Sequence, residues 1–155
     1  MGALSGSAST EIDAPLQDVW AVVQDVESAA KWQRGIDSMR AREHDGDGRA
    51  TSCDTVTDMK VKVFDARVSF HYEPPSRLSW TQERGDLKSM TGSWQLEDLG
   101  GGRTRAVYTL HADPGALLSR FLKGALEEKL RARLIDGRPA ELKARAERAA
   151  PPGHG

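Results

Sequence analysis

From Gly115 to Ala149 the chain reads GALLSRFLKGALEEKLRARLIDGRPAELKARAERA, and this stretch narrows the possible architectures more than any other. Leu118, Leu122, Leu126, Leu130 and Leu134 recur every fourth residue, and Leu117, Phe121 and Ala125 form a parallel row. Side chains four apart sit one above another on a helix. At ~100° per residue each such step drifts by roughly 40°, so the apolar band winds around the helix. A winding band suits a helix gripped by a curved sheet better than one resting on a flat surface. Gly137-Arg138-Pro139 interrupts the pattern, and proline removes a hydrogen bond there. Leu142 and the mixed charges resume beyond it. The expectation is a kink; the alternative is a break followed by a separate short helix.

The remaining residues have to supply the sheet. With 155 residues in all, the chain is long enough for one domain with its own core. Its 22 basic and 23 acidic residues leave a net charge of −1, which gives no electrostatic reason to expect nucleic acid. Apolar runs fall well short of the ~18–20 residues that span a bilayer. The start, MGALSGSAST, has no basic and apolar signal segment, and Gly6 stands where a myristoylation motif has Ser or Thr. Cys53 is the single cysteine, which excludes an internal disulfide and a multi-cysteine zinc site. The expectation is a cytoplasmic protein without a stable membrane anchor, monomeric or homodimeric.

Residues 1–7, rich in Gly and Ser, read as a disordered tail. Ser7 to Ile12 is a short candidate strand, and Asp13-Ala14-Pro15 is a good helix start. Val19, Trp20, Val22, Val23 and Val26 supply the apolar face of that helix, and a further turn carries Trp32. From Ile36 to Ala112 the period changes to alternation. Turns at His44–Gly48, Glu73–Ser76, Gly85-Asp86 and Gly100–Gly102 separate the strands. Phe64, Ala66, Val68, Phe70 and Tyr72 form one apolar set; Met90, Gly92, Trp94 and Leu96 form another. The tally is about seven antiparallel strands, with helices after the first and the last. A single domain over 8–148 and a disordered tail over 149–155 complete the reading. A sheet curled around one helix leaves space that the two cannot fill, so a cavity is expected.

EIDAPLQDVWAVVQDVESAAKWQRGI, YEPPSRLSW and GSWQLEDLGGGRTRAVYTL, followed by the long helix, resemble the START-like superfamily. Within it they are most similar to bacterial polyketide cyclase/dehydrase-type and coenzyme-Q-binding-type proteins. The resemblance runs from about Ala8 to Arg148 and implies an α+β helix-grip fold with an internal hydrophobic cavity. Members bind lipids, sterols, quinones or plant hormones, and some aromatise or cyclise polyketides. Two departures stand out. Many relatives carry an aromatic-proline pair ahead of the tryptophan that follows the first helix, and here Ser28-Ala29-Ala30-Lys31 precedes Trp32. That loss either opens the mouth of the cavity or is filled by a neighbour. The aromatase/cyclases carry polar and aromatic pocket residues on the fourth strand; here Val68, Phe70 and Tyr72 are one residue out of phase with Arg67, Ser69 and His71. A slip of one exchanges the faces. If the apolar set faces inward, the pocket arginine of that strand is missing.

Motifs for other chemistry are absent from the sequence. His44, His71, His111 and His154 form no pair at metal-ligand spacing, so no metal is expected, and no cofactor either. No phosphate loop, dinucleotide fingerprint or Gly-x-Ser-x-Gly occurs. The residues expected to line a pocket are Trp32, Phe70, Tyr72, Trp80, Gln82, Met90, Trp94, Tyr108, Phe121, Leu122 and Ala125. Plain core packing accounts for aromatics on inward faces equally well. Tyr72, Tyr108, Asp54 and Glu128 are the candidates for acid–base work, since a carboxylate facing a cavity has a raised pKa. Against this, Glu128 can reach solvent or pair with Arg131 or Arg133, and Arg67 can meet Asp65 or Glu83 on the outer face. Two functions follow: binding of a hydrophobic small molecule (lipid, quinone or polyketide-like aromatic), or cyclisation or dehydration of a polyketide in the same cavity.

Overall fold

The structure, a computed structural model, describes residues 4–59, 62–120 and 122–149. Seven strands, β1 (Leu4–Ile12), β2 (Ile36–His44), β3 (Ala50–Asp58), β4 (Val63–Glu73), β5 (Arg77–Gly85), β6 (Ser89–Gly100) and β7 (Arg103–Asp113), form one sheet in the order β1-β7-β6-β5-β4-β3-β2. Every neighbouring pair is antiparallel. Helix α1 (Leu16–Gln24) and a 3-10 segment (Val26–Lys31) carry the chain from one edge strand to the other. After β7 come α2 (Ala116–Ser119), α3 (Gly124–Arg131), a π segment (Ala132–Asp136) and α4 (Arg138–Ala149). This is the α+β helix-grip arrangement.

Period-two burial gives the sheet its two faces. In β7, Thr104, Ala106, Tyr108, Leu110 and Ala112 are buried in alternation with exposed or half-buried neighbours. In β4, Phe64 and Val68 are buried on the same parity as Ala66 and Phe70, so the apolar set faces the helices and Arg67 faces out. Val19, Trp20 and Val23 of α1 and Leu130, Leu134, Ile135, Leu142 and Ala146 of the C-terminal helices close the core over the concave face.

Two expectations need correction. β1 begins at Leu4, so residues 4–7 are not a disordered tail; Leu4 pairs with Ala112 and each residue to Ile12 has a β7 partner. Residues 1–3 and 150–155 lie outside the described residues, and Ala149 ends α4. The helix assumed to run unbroken from Gly115 is also interrupted before α3. Lys123 is extended and Gly124 has φ +58°, a conformation that glycine alone adopts cheaply. Helical phase counted across that point is void. At Gly137 the helical run continues through the π segment, where Gly137 N–H donates to Ala132 O at 2.9 Å. Pro139 follows as the second residue of α4, in the first turn, where a missing N–H is tolerated.

Candidate functional site

Between the concave sheet face, the 3-10 segment and the C-terminal helices lies a cavity of about 110 Å³, measured as space open to the centre of a water molecule. A void that holds a single water needs roughly 10–15 Å³ on this measure, so this space exceeds a one-water site. Its walls are mostly aliphatic and aromatic, from Leu4 on β1 to Leu134 on the π segment.

The aromatic side chains form a chain across the sheet. Phe70 and Trp80 have ring centroids 6.2 Å apart, Trp80 and Tyr108 5.7 Å, Tyr108 and Trp94 4.7 Å, and Trp94 and Trp32 6.3 Å. Trp80 reaches Tyr108 across an intervening strand because its partner on β6 is Gly92. A Cβ at position 92 would stand 2.4 Å from the Trp80 ring. Gly92→Ala therefore displaces Trp80, at a cost of about 1–3 kcal/mol for overpacking. A lower urea midpoint together with altered tryptophan fluorescence checks this; an unchanged midpoint would contradict it.

One end of the cavity is polar. Arg138, 2% exposed, lines it beside Tyr108. Arg138 Nη1 donates to Arg34 O at 2.6 Å and to Glu141 Oε1 at 2.9 Å, while Glu141 Oε2 accepts from Arg34 N–H at 3.0 Å. The ion pair thus grips both polar groups of one residue's backbone and fixes the loop that presents Trp32. Arg138 Nε and Trp32 Nε1 are buried without an acceptor among the described residues. Arg138 was not expected from the sequence, although the four-residue row, continued past Leu134, meets Arg138 before Leu142 and Ala146. A charged residue in a buried row, with Glu141 three positions on, was the available signal.

The expected pocket residues divide. Trp32, Phe70, Trp80, Met90, Trp94 and Tyr108 line the cavity. Tyr72 does not: its hydroxyl donates to Ala50 O and its ring meets Trp20 edge-on at 6.5 Å. Gln82 does not: its Nε2 donates to Leu87 O at 2.9 Å, pinning the β5–β6 connection. Leu122 is buried in the core away from the cavity, Ala125 is exposed, and Phe121 lies outside the described residues.

Among the acid–base candidates only Tyr108 lines the cavity. Glu128 is exposed; the helical count that aligned it with the Phe121 and Ala125 row runs across the break at Gly124. Asp54 lies on the outer face, since Cys53, Thr55 and Thr57 carry the inward parity of β3. Asp54 Oδ1 accepts from Arg67 Nε at 3.0 Å, and Arg42 stands 3.6 Å away. The Arg67 hydrogen bond holds that carboxyl below its usual range, the reverse of a general acid. Arg67 finds its partner in Asp54, not in Asp65 or Glu83.

Burial pushes the Tyr108 hydroxyl up, with Arg138 partly opposing, so it is a neutral phenol. Burial, reinforced by Glu27 and Asp54, pushes the Cys53 thiol from 9.0 up to about 12 and keeps it unreactive. Such a group favours the folded state below its unfolded pKa, and that contribution is lost as pH rises toward the folded value. Stability is thus expected to fall from pH 9.0 upward by about 1.4 kcal/mol per pH unit from Cys53. Urea unfolding at pH about 8 and about 10 should show this drop, reduced in Cys53→Ala. Equal drops in both proteins would refute the assignment. Among the described residues no group of three or more His, Cys, Asp or Glu could hold a metal ion, and no helix is long and apolar enough to cross a membrane.

A family model described as polyketide cyclase / dehydrase and lipid transport matches residues 3–147. No curated protein matches the sequence. A START superfamily protein from Mycobacterium smegmatis superposes with TM-score 0.78 at 16% identity, over 93% of this chain and 97% of its own. A protein from Thermus thermophilus gives TM-score 0.79 at 19% identity, covering 95% and 99%. The Zhui aromatase/cyclase from Streptomyces sp. R1128 gives 0.76 at 17% identity, covering 99% of each chain. At these identities the likeness concerns the fold.

Proposed function

Because the chain belongs to the polyketide cyclase / dehydrase and lipid transport family, we propose that it binds a flat, largely apolar small molecule in the cavity between the sheet and the C-terminal helices. The observation that carries this reading is the chain of rings from Phe70 through Trp80, Tyr108 and Trp94 to Trp32 along one cavity wall. Core packing alone accounts for stacked aromatics, but not for space of this size beside them. A small number of polar groups in a mostly apolar pocket is what a binding site for such a molecule requires.

The aromatase/cyclase among the similar structures favours a second reading, turnover of a polyketide in the same space. Under that reading the proton donor is Tyr108, since Tyr72, Asp54 and Glu128 lie elsewhere. A phenol held neutral by burial is a weak acid and makes a poor base near neutral pH. The carboxylate that lines the cavity, Asp25, is exposed and accepts the Ser28 hydroxyl at 2.7 Å. Binding is therefore the better-supported activity.

Native mass spectrometry of freshly purified protein, followed by solvent extraction, tests the proposal. A retained apolar molecule, or uptake of added 2-ethylnaphthalene at one equivalent, is the expected result. Failure to take up any such molecule would overturn it.

A further inference from the structure

Resting on the binding reading above, we propose that the polar end of the cavity is a carbonyl-recognition site: Trp32 Nε1 and Arg138 Nε donate to the oxygen of a planar ligand that carries no charge. Both donors are buried, neither has an acceptor among the described residues, and both side chains line the cavity. A buried N–H without an acceptor is costly, and a ligand oxygen removes that cost. A pure hydrocarbon leaves it in place.

The charge of the ligand follows from the surroundings of Arg138. Its guanidinium is already neutralised by Glu141, and both Glu141 oxygens are engaged, one by Arg138 and the other by the Arg34 amide. The Tyr108 hydroxyl beside it is un-ionised. Asp25, the acidic residue lining the cavity, offers no cation. A carboxylate would therefore enter an apolar space with no uncompensated cation to meet it, and would lose its hydration for little return. A ketone or quinone-type oxygen has the lone pairs without that penalty. The rings of Trp94 and Trp32, next to this end, keep the carbonyl in the plane of an aromatic body.

Isothermal titration with three probes of similar size separates the possibilities: 2-acetylnaphthalene, 2-ethylnaphthalene and 2-naphthoate. The ketone is expected to bind roughly tenfold tighter than the hydrocarbon, with the carboxylate weaker than the ketone. Trp32→Phe keeps a ring and removes one donor; Arg138→Lys keeps the charge opposite Glu141 and removes the other. In each variant the ketone-to-hydrocarbon ratio should fall toward one. Equal binding of ketone and hydrocarbon by the unaltered protein would overturn the carbonyl site and leave the binding reading standing. Tightest binding of 2-naphthoate would overturn the requirement for a neutral ligand. No binding of any probe would overturn both readings. The ratio in the unaltered protein decides by itself, so a variant that fails to fold does not rescue the proposal.

Discussion

Arg138→Met is expected to lower the unfolding free energy by about 3–5 kcal/mol, because it strands one partner of a buried ion pair. The Arg138 side chain is 3% exposed and that of Glu141 13%. Methionine fills most of the volume but leaves Glu141 Oε1 and the Arg34 carbonyl without their donor. The loss therefore comes from uncompensated polar groups more than from packing. Arg138→Met combined with Glu141→Leu should recover much of it, since apolar replacement of a whole buried pair is commonly neutral. Urea denaturation of the two variants measures both effects. A single-variant cost below about 1 kcal/mol would mean that solvent already screens the pair.

Trp94→Ala is the other large effect, about 3–5 kcal/mol. Trp94 is 1% exposed at the centre of the aromatic chain, 4.7 Å from Tyr108 and 6.3 Å from Trp32 by ring centroid. Its removal opens a void on the inner face of β6 that a central strand cannot close by collapse. The affinity for 2-ethylnaphthalene should fall as well, because the wall between Tyr108 and Trp32 is gone. Leu117→Ala is the comparison: Leu117 is 70% exposed, and its loss should stay within about 0.5 kcal/mol. Comparable losses from the two variants would contradict the assignment of Trp94 to the core.

Local periodicity made the fold legible. The strands from β2 to β7 follow from alternation and turn residues, and the apolar set of β4 was visible, but the face it takes was left open until the structure turned Phe64 to Phe70 inward. Errors arose where a count was carried through an irregularity. Glu128 and Ala125 were placed by helical arithmetic that ran through Gly124, whose positive φ resets the phase. Asp54 was read as continuing the inward parity of the second hairpin, but Cys53 and Thr55 carry that parity, and Ser52, though buried, bonds Glu83 on the outer face. Arg138 escaped because its burial depends on a partner distant in sequence, the Arg34 backbone, and on the cavity that it lines. Gly92 shows the same limit from the other side: alternation marks it as inward, but only the structure shows Trp80 lying across it.

The most direct test of the binding account is the set of tryptophan indole N–H signals in a 1H–15N spectrum during titration with 2-acetylnaphthalene. The chain has four tryptophans. Trp32, Trp80 and Trp94 line the cavity, whereas Trp20 packs on Tyr72 outside it. The account predicts that the three cavity signals shift and saturate together, Trp32 most, while Trp20 stays in place. Saturation with none of the three moving, or with Trp20 alone moving, would contradict it.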